Sequence, residues 1–318
     1  MTCASSLRYS EFTERYLDGG DRNGGLMTEF ARPSPGGAFS SQAGASEVAI
    51  VGAGRVGCSI GRALAAKGHR IVAASTASSA SAARVRQMLG DVPVTTPEDA
   101  ALAADLIVIA VPDDALGDVA VAVARGARPG ATVIHTSGLH GLDILAACGQ
   151  RIAAIHPAQA IPAPGTPLDG VYFGVTAGEA MRDRAREFVA ELGGIAVDVP
   201  EDRRALYHAA LCMASNFAVS LAGDAADLLP DPAILAPLLR GTVGNIIALG
   251  ADASLTGPVV RGDAGTVRAH LAALPPHLLE SYVANARRTL DRAVQSGRLD
   301  ANKAAAVAAA LQEASVPR

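Results

Sequence analysis

The sequence has no tryptophan, and aromatic residues make up only 3% of its 318 positions. Platforms that stack nucleic-acid bases on aromatic side chains are therefore not expected. Lysine is nearly missing too: Lys67 and Lys303 stand alone, and the other positive charges are arginines. A mechanism built on a lysine acid has little to draw on. Neither sign of charge dominates, with a formal net charge of −4, so no bulk basic field recruits nucleic acid or an anionic membrane. The four cysteines, Cys3, Cys58, Cys148 and Cys212, form no CxxC pair. A zinc site or disulfide framework is not expected, no metal is implied, and a reducing cytoplasm fits. Half of the residues are hydrophobic, yet no run reads as the ~20 uncharged apolar residues of a membrane helix, so no membrane partner is expected.

Residues 1–45 carry "DGGDRNGG" and "RPSPGGAFSSQAGAS", rich in Gly, Ser and Pro and without periodicity. They read as a disordered extension, and no apolar core follows a basic start as in a secretory signal. Beyond them, short apolar runs alternate with helical stretches. "EVAIV", "RIVAA", "VPVTT", "DLIVIAV", "ATVIHTSG", "RIAAIHP", "VYFGVTA" and "IAVDVP" are the expected strands. That alternation predicts a parallel sheet covered on both faces over residues 46–200. From 201 to 318 the pattern is helical throughout, with helices expected over 202–229, 232–249, 263–273, 276–296 and 300–314.

Gly52, Gly54 and Gly57 form GxGxxG between the first strand and the helix "RALAAKG", with Arg55 and Val56 inside the turn. The first glycine permits the tight turn, the second lets a pyrophosphate approach bare backbone, and the third lets the helix pack on the strand. The helix start offers free N–H groups and partial positive charge to phosphates. A carboxylate after the second strand would bond a ribose 2′-hydroxyl and repel a 2′-phosphate. None occurs from Ile71 to Gly90; Ser75 and Thr76 stand there instead, with Arg84 and Arg86 nearby. NADP(H) is favoured over NAD on this ground, although the same serines also suit a solvated loop.

In an open parallel sheet, ligands sit beyond the carboxyl ends of the strands. Three expected strands end in polar groups: Val111-Pro112-Asp113, His135-Thr136-Ser137-Gly138 and His156-Pro157. Val111 and Pro112 are expected beside the cofactor, Ser137 as a hydrogen-bonding group, and His156 as a proton donor because free imidazole titrates near neutrality. Helix capping by Thr136 and Ser137, and a structural His156, are the competing readings. In "ALYHAALCMASNFAVSL", His208, Cys212, Ser215 and Asn216 fall on one helical face. His208 as acid and Asn216 as orienting amide would serve a hydride acceptor that needs a proton; a buried network or a dimer contact is the alternative. Arg261, in "ASLTGPVVRGDAGTV", is a candidate for gripping a substrate carboxylate.

Taken together, "VGAGRVG", "VIHTSGLHGLDIL", "IHPAQAIP", "LYHAALCMASNF" and "LTGPVVRGDAGTV" resemble bacterial proteins that join a Rossmann-like domain to a C-terminal domain long catalogued as of unknown function. The resemblance spans roughly 46–300. It implies an α/β Rossmann-like doubly wound sheet followed by an all-α domain of the 6-phosphogluconate dehydrogenase type, which pairs subunits into a homodimer. Related families include pyrroline-5-carboxylate reductase and ketopantoate reductase, and some members are regarded as an alternative ketopantoate reductase of pantothenate synthesis. The implied activity is an NADP-dependent reductase of a small keto acid, ketopantoate foremost. An imine reductase of the pyrroline-5-carboxylate type, a non-catalytic NADP-binding sensor and a deazaflavin hydride donor are the alternatives. One departure stands out: related reductases place a lysine four residues before the Asn of the first long helix, whereas Cys212 precedes Asn216 here. The proton donor is not carried over.

Overall fold

The structure is a computed structural model that describes residues 45–313. The extension expected over 1–45 lies, but for Ala45, outside the described residues. The chain first lays down β1 (Glu47–Val51), α1 (Arg55–Ala66), β2 (Arg70–Ser75), α2 (Ser79–Leu89), β3 (Val94–Thr95) and α3 (Pro97–Leu102). Next come β4 (Leu106–Ile109), α4 (Asp113–Gly126), β5 (Thr132–His135), β6 (Ile152–Pro157), β7 (Tyr172–Ala177), α5 (Arg182–Glu191) and β8 (Ile195–Asp198).

The strands form one eight-stranded sheet in the order β3-β2-β1-β4-β5-β6-β7-β8. The order reverses between β1 and β4, where Val51 pairs with Ile109, and this is the switch point at which such sheets open a crevice. Alternation along the strands sends side chains to opposite faces. Val48, Ile50 and Val108 join α1, α2 and α5 in one core, with Ile60, Leu64, Val85 and Phe188. Ala49, Val51, Ile107 and Ile109 join α3 and α4 in the other, with Leu116, Ala120 and Val123. Both faces are covered, as the apolar strands require.

The expectation of a parallel sheet needs one correction: β6 and β7 run antiparallel, with His156 opposite Gly174. Residues 158–171 connect them without a helix. A parallel return would need a crossover, usually helical, whereas an antiparallel return does not. A buried apolar strand reads the same in either direction, so the sequence pattern is silent here.

After β8 the chain is helical, as expected: α6 (Arg204–Ala214), α7 (Asn216–Leu228), α8 (Leu235–Leu249), α9 (Pro258–Arg261), α10 (Ala264–Ala273), α11 (Pro276–Gln295) and α12 (Ala301–Glu313). The single helix expected over 202–229 is broken at Ser215, whose φ of −110° and ψ of −72° interrupt the spiral between α6 and α7. Helices α9 to α12 share a buried core that includes Val260, Val267, Leu290, Val307 and Leu311. Helices α6 to α8 differ. Leu206, Met213, Phe217, Val219, Leu238, Val243, Ile247 and Leu249 are all exposed. A second correction concerns apolar runs: residues 205–223 carry no Asp, Glu, Lys or Arg. Glu201–Leu228 and Pro232–Leu249 are long and apolar enough, by length and composition alone, to cross a membrane, and almost none of either is buried.

Candidate dinucleotide and active site

Each glycine of the turn meets a separate demand. Gly52 adopts a positive φ of 94°, and a Cβ there would lie 2.5 Å from the Ala110 carbonyl oxygen and 2.7 Å from Val111 Cγ1. Its N–H and that of Ala53 both donate to the Ser75 carbonyl, at 2.9 and 3.2 Å, which ties the turn to the end of β2. Gly57 packs so tightly that a Cβ would lie 2.3 Å from the Gly52 oxygen. Gly54 is the opposite case: among the described residues, nothing lies within 4 Å of the position its Cβ would take. The first helical bond of α1 is Cys58 N–H to the Gly54 carbonyl, 3.1 Å. The N–H groups of Arg55, Val56 and Gly57 therefore precede the helical ladder. A bare Gly54 beside free N–H groups at a helix start fits the pyrophosphate of a dinucleotide.

The ribose end of that cradle is built by β2 and α2. Ser75 is buried, Thr76 half-buried with its hydroxyl on the Ser78 carbonyl at 3.3 Å, and Ser78 caps α2 by accepting from Ser81 N–H. Arg84 leans back over the turn: Nη1 reaches the Ala53 carbonyl and the Ser81 hydroxyl, each at 3.4 Å. It is the arginine this segment presents to the glycine turn, while Arg86 and Arg55 are exposed. Val111, after β4, packs against Gly52 on the other side, and Pro112 follows it at the start of α4.

The polar strand ends are drawn together by α6. His135 is fully buried; its Nδ1 accepts from Ser137 N–H at 3.2 Å and its Nε2 lies 2.9 Å from the Gly141 carbonyl, which fixes the Nε2–H tautomer. Burial holds its pKa at about 4, with the Gly141 carbonyl working against that shift. Ser137 acts as a loop cap, accepting from Leu139 N–H at 3.1 Å and His140 N–H at 3.0 Å. Glu201 closes the same loop by accepting from Leu142 N–H at 2.8 Å.

His156 and His208 meet edge to face, with centroids 5.6 Å apart. Gly138 makes that meeting possible: a Cβ there would lie 2.7 Å from His208 Cδ2 and 3.0 Å from His156 Nε2. Burial first, then His208 and Arg204, lower the pKa of His156 to about 4. This revises the sequence expectation. A half-buried imidazole beside a guanidinium is neutral at pH 7, so it offers the N–H of a neutral ring rather than an imidazolium proton. His208 Nε2 lies 3.8 Å from Cys212 Sγ, one turn along α6.

Ser137, His156 and His208 are thus brought together. Asn216 is not part of that cluster; the break at Ser215 puts it at the start of α7, exposed, with no side-chain hydrogen bond among the described residues. Arg261 lies on α9 and lines a cavity with Arg298, Asp300 and Lys303, all from the helical region. Among the described residues, no group of three His, Cys, Asp or Glu is arranged to hold a metal ion.

Two residues of the cluster carry no motif. Arg204, at the start of α6, is 1% exposed; Nη1 donates to Thr176 Oγ1 at 2.8 Å and Nη2 to the Ser137 carbonyl, and its Nε has no partner among the described residues. Tyr207 donates or accepts at His156 Nδ1, 3.1 Å away, and its ring lies flush on Gly174. A signal for each existed in the chain. An arginine in the first turn stands at the unfavourable end of the helix dipole, and a glycine inside "VYFGVTA" marks a close approach by another element.

The comparisons with known proteins agree with this architecture. No curated protein matches the sequence. A Rossmann-like domain matches residues 33–157, and a domain of unknown function, DUF2520, matches residues 171–289. Among solved structures, BF3122 of Bacteroides fragilis, a candidate NADP oxidoreductase, is 22% identical, with a TM-score of 0.67 over 77% of this chain and 98% of its own. Protein TM1727 of Thermotoga maritima is 21% identical, with a TM-score of 0.53 over 84% and 98%. A candidate oxidoreductase of Mycobacterium avium 104 is 16% identical, with a TM-score of 0.51 over 86% and 100%. At these identities the likeness is one of fold. One model falls on the sheet and the other on the region that follows it, so the chain carries a match to a Rossmann-like domain followed by a match to a DUF2520 domain.

Proposed function

We propose that this chain is an NADP(H)-dependent reductase of a small oxo acid, with ketopantoate the foremost substrate, acting as a cytoplasmic homodimer. One observation carries the reading: the turn is bare at Gly54, and Arg84 folds over its ribose end where no carboxylate occurs between Ile71 and Gly90. When bound, the reduced nicotinamide supplies a hydride. The N–H groups of Arg55, Val56 and Gly57 hold the pyrophosphate, while Ser75, Thr76 and Arg84 receive the 2′-phosphate through hydrogen bonds and charge. Val111 and Pro112 shield one side of the crevice from water. His156, His208 and Ser137 stand at the strand ends, where an oxygen gaining negative charge needs a donor. Arg261, in a cavity of its own, grips the substrate carboxylate only if that cavity is carried to the strand ends, as a second copy of the chain could do. The choice of ketopantoate rests on the sequence resemblance.

The test is the loss of NADPH absorbance on addition of ketopantoate, other 2-oxo acids and pyrroline-5-carboxylate. Turnover of ketopantoate is the expected result. Turnover of the cyclic imine alone would replace the substrate class. NADPH binding with no turnover of any compound would make the chain a binding protein instead of a reductase.

A further inference from the structure

We propose that Tyr207 and His156 form a two-residue proton relay to the substrate, with Arg204 built in behind the phenol as a fixed counter-charge. The proposal rests on the reductase reading and adds the route of the proton.

The geometry starts with the tautomer. Tyr207 Oη lies 3.1 Å from His156 Nδ1, with the rings edge to face at 89°. Burial pushes the pKa of the Tyr207 phenol up, and Arg204 first, then the Gly174 backbone, work against that shift. In the relay the Tyr207 hydroxyl donates its hydrogen to Nδ1, which places the ring proton of neutral His156 on Nε2. Nε2 has no hydrogen-bond partner among the described residues and faces Gly138, the position that lacks a side chain to cover it. His156 is the last residue but one of β6, at the carboxyl end of the sheet.

Arg204 supplies the second, independent observation. It sits three residues before Tyr207, one turn away on α6, and is fully buried without a carboxylate partner among the described residues. A buried, unpaired guanidinium is costly for a fold to keep. Its charge favours ionised Tyr207 and neutral His156. A purely structural Tyr–His contact has no use for that charge; a phenol that must become a phenolate does.

The relay balances. As the substrate carbonyl is reduced with two electrons from the reduced nicotinamide dinucleotide, its oxygen takes the proton of His156 Nε2: that N–H bond breaks and the product O–H bond forms. In the same event the Tyr207 O–H bond breaks and an N–H bond forms at Nδ1. The negative charge comes to rest on Tyr207 beside Arg204 and the Gly174 backbone. A proton from solvent then returns to Nε2, and Nδ1 gives its proton back to the phenolate. His156 is the catalytic residue of the pair and Tyr207 the one that acts through it.

The experiment uses the full chain labelled with ¹⁵N histidine, with His156 assigned by the His156→Gln variant. Long-range imidazole spectra at pH 7 are expected to show neutral His156 protonated at Nε2, and Tyr207→Phe is expected to lose that fixed tautomer. NADPH affinity of Tyr207→Phe should stay within about twofold of wild type, while kcat for ketopantoate falls by about 100-fold with little change in KM. A wild-type His156 protonated on Nδ1, or charged at pH 7, would overturn the relay, as would a Tyr207→Phe variant with unchanged tautomer and kcat. If the wild type reduces none of the oxo acids or imines, the reductase reading fails and the tautomer measurement judges the Tyr207–His156 geometry by itself.

Discussion

Two glycines of the turn respond in opposite ways when a methyl is added, and the difference separates folding from binding. At Gly57 the methyl meets the Gly52 oxygen at 2.3 Å inside the α1–β1 contact. Gly57→Ala should cost about 1–3 kcal/mol or more of stability, read by urea unfolding. At Gly54 the methyl meets nothing among the described residues, and the φ of −80° suits alanine. Gly54→Ala should leave stability within about 1 kcal/mol of wild type while NADPH affinity falls at least about tenfold, since only a bound pyrophosphate would touch the added carbon. Equal losses of stability in the two variants would contradict this division. The histidines carry a second prediction. In the unfolded chain an imidazole takes a proton near 6.5, but burial delays this in folded His135 and His156 to about 4. The unfolded state binds more protons between those values, so stability present above pH 6.5 is lost as the pH falls toward 4. For fully buried His135 the loss is on the order of 2 kcal/mol by pH 5, and less for half-buried His156. Urea unfolding at pH 7.5 and pH 5 measures it; equal or greater stability at pH 5 would count against the buried neutral rings.

At the scale of elements, legibility followed pattern length and local chemistry. The β1–turn–α1 unit was readable because its glycines, apolar strand and helix agree on one conformation. The helices from α10 onward were readable within a residue or two for the same reason, with Asp263 capping α10 through Thr266 N–H. What the sequence concealed was decided by partners far along the chain. The direction of β7 depends on how residues 158–171 return, and the break at Ser215 has no local marker, since "MASNFA" continues a helical pattern. That break explains why one expected stripe divided: His208 and Cys212 stay together on α6, and Asn216 leaves with α7. Tyr207 and Arg204 acquire meaning only when α6 is laid across β7 and the end of β5, where Gly174 and Ser137 receive them.

For the whole molecule, the contrast between two sets of helices is the dominant feature. Helices α9 to α12 bury their apolar side chains against each other, whereas α6 to α8 leave Phe217, Leu238, Ile247 and others in the open. Large apolar side chains left exposed side by side on neighbouring helices mark an interaction surface. The proposed occupant is a second copy of the chain. Ile247→Asp, a charge placed without a partner on α8, should weaken self-association by at least about 100-fold in sedimentation velocity. A wild-type chain that is monomeric at micromolar concentration, or that floats with lipid vesicles, would contradict the dimer. The account as a whole turns on the dinucleotide and on Arg84 at its ribose end. The direct measurement is a titration of the purified full-length chain with NADPH and NADH, repeated on Arg84→Ala. Micromolar NADPH binding is expected, with NADH at least about tenfold weaker and the gap largely erased by the substitution. NADH binding as tight as NADPH, or neither nucleotide binding below millimolar concentration, would contradict it.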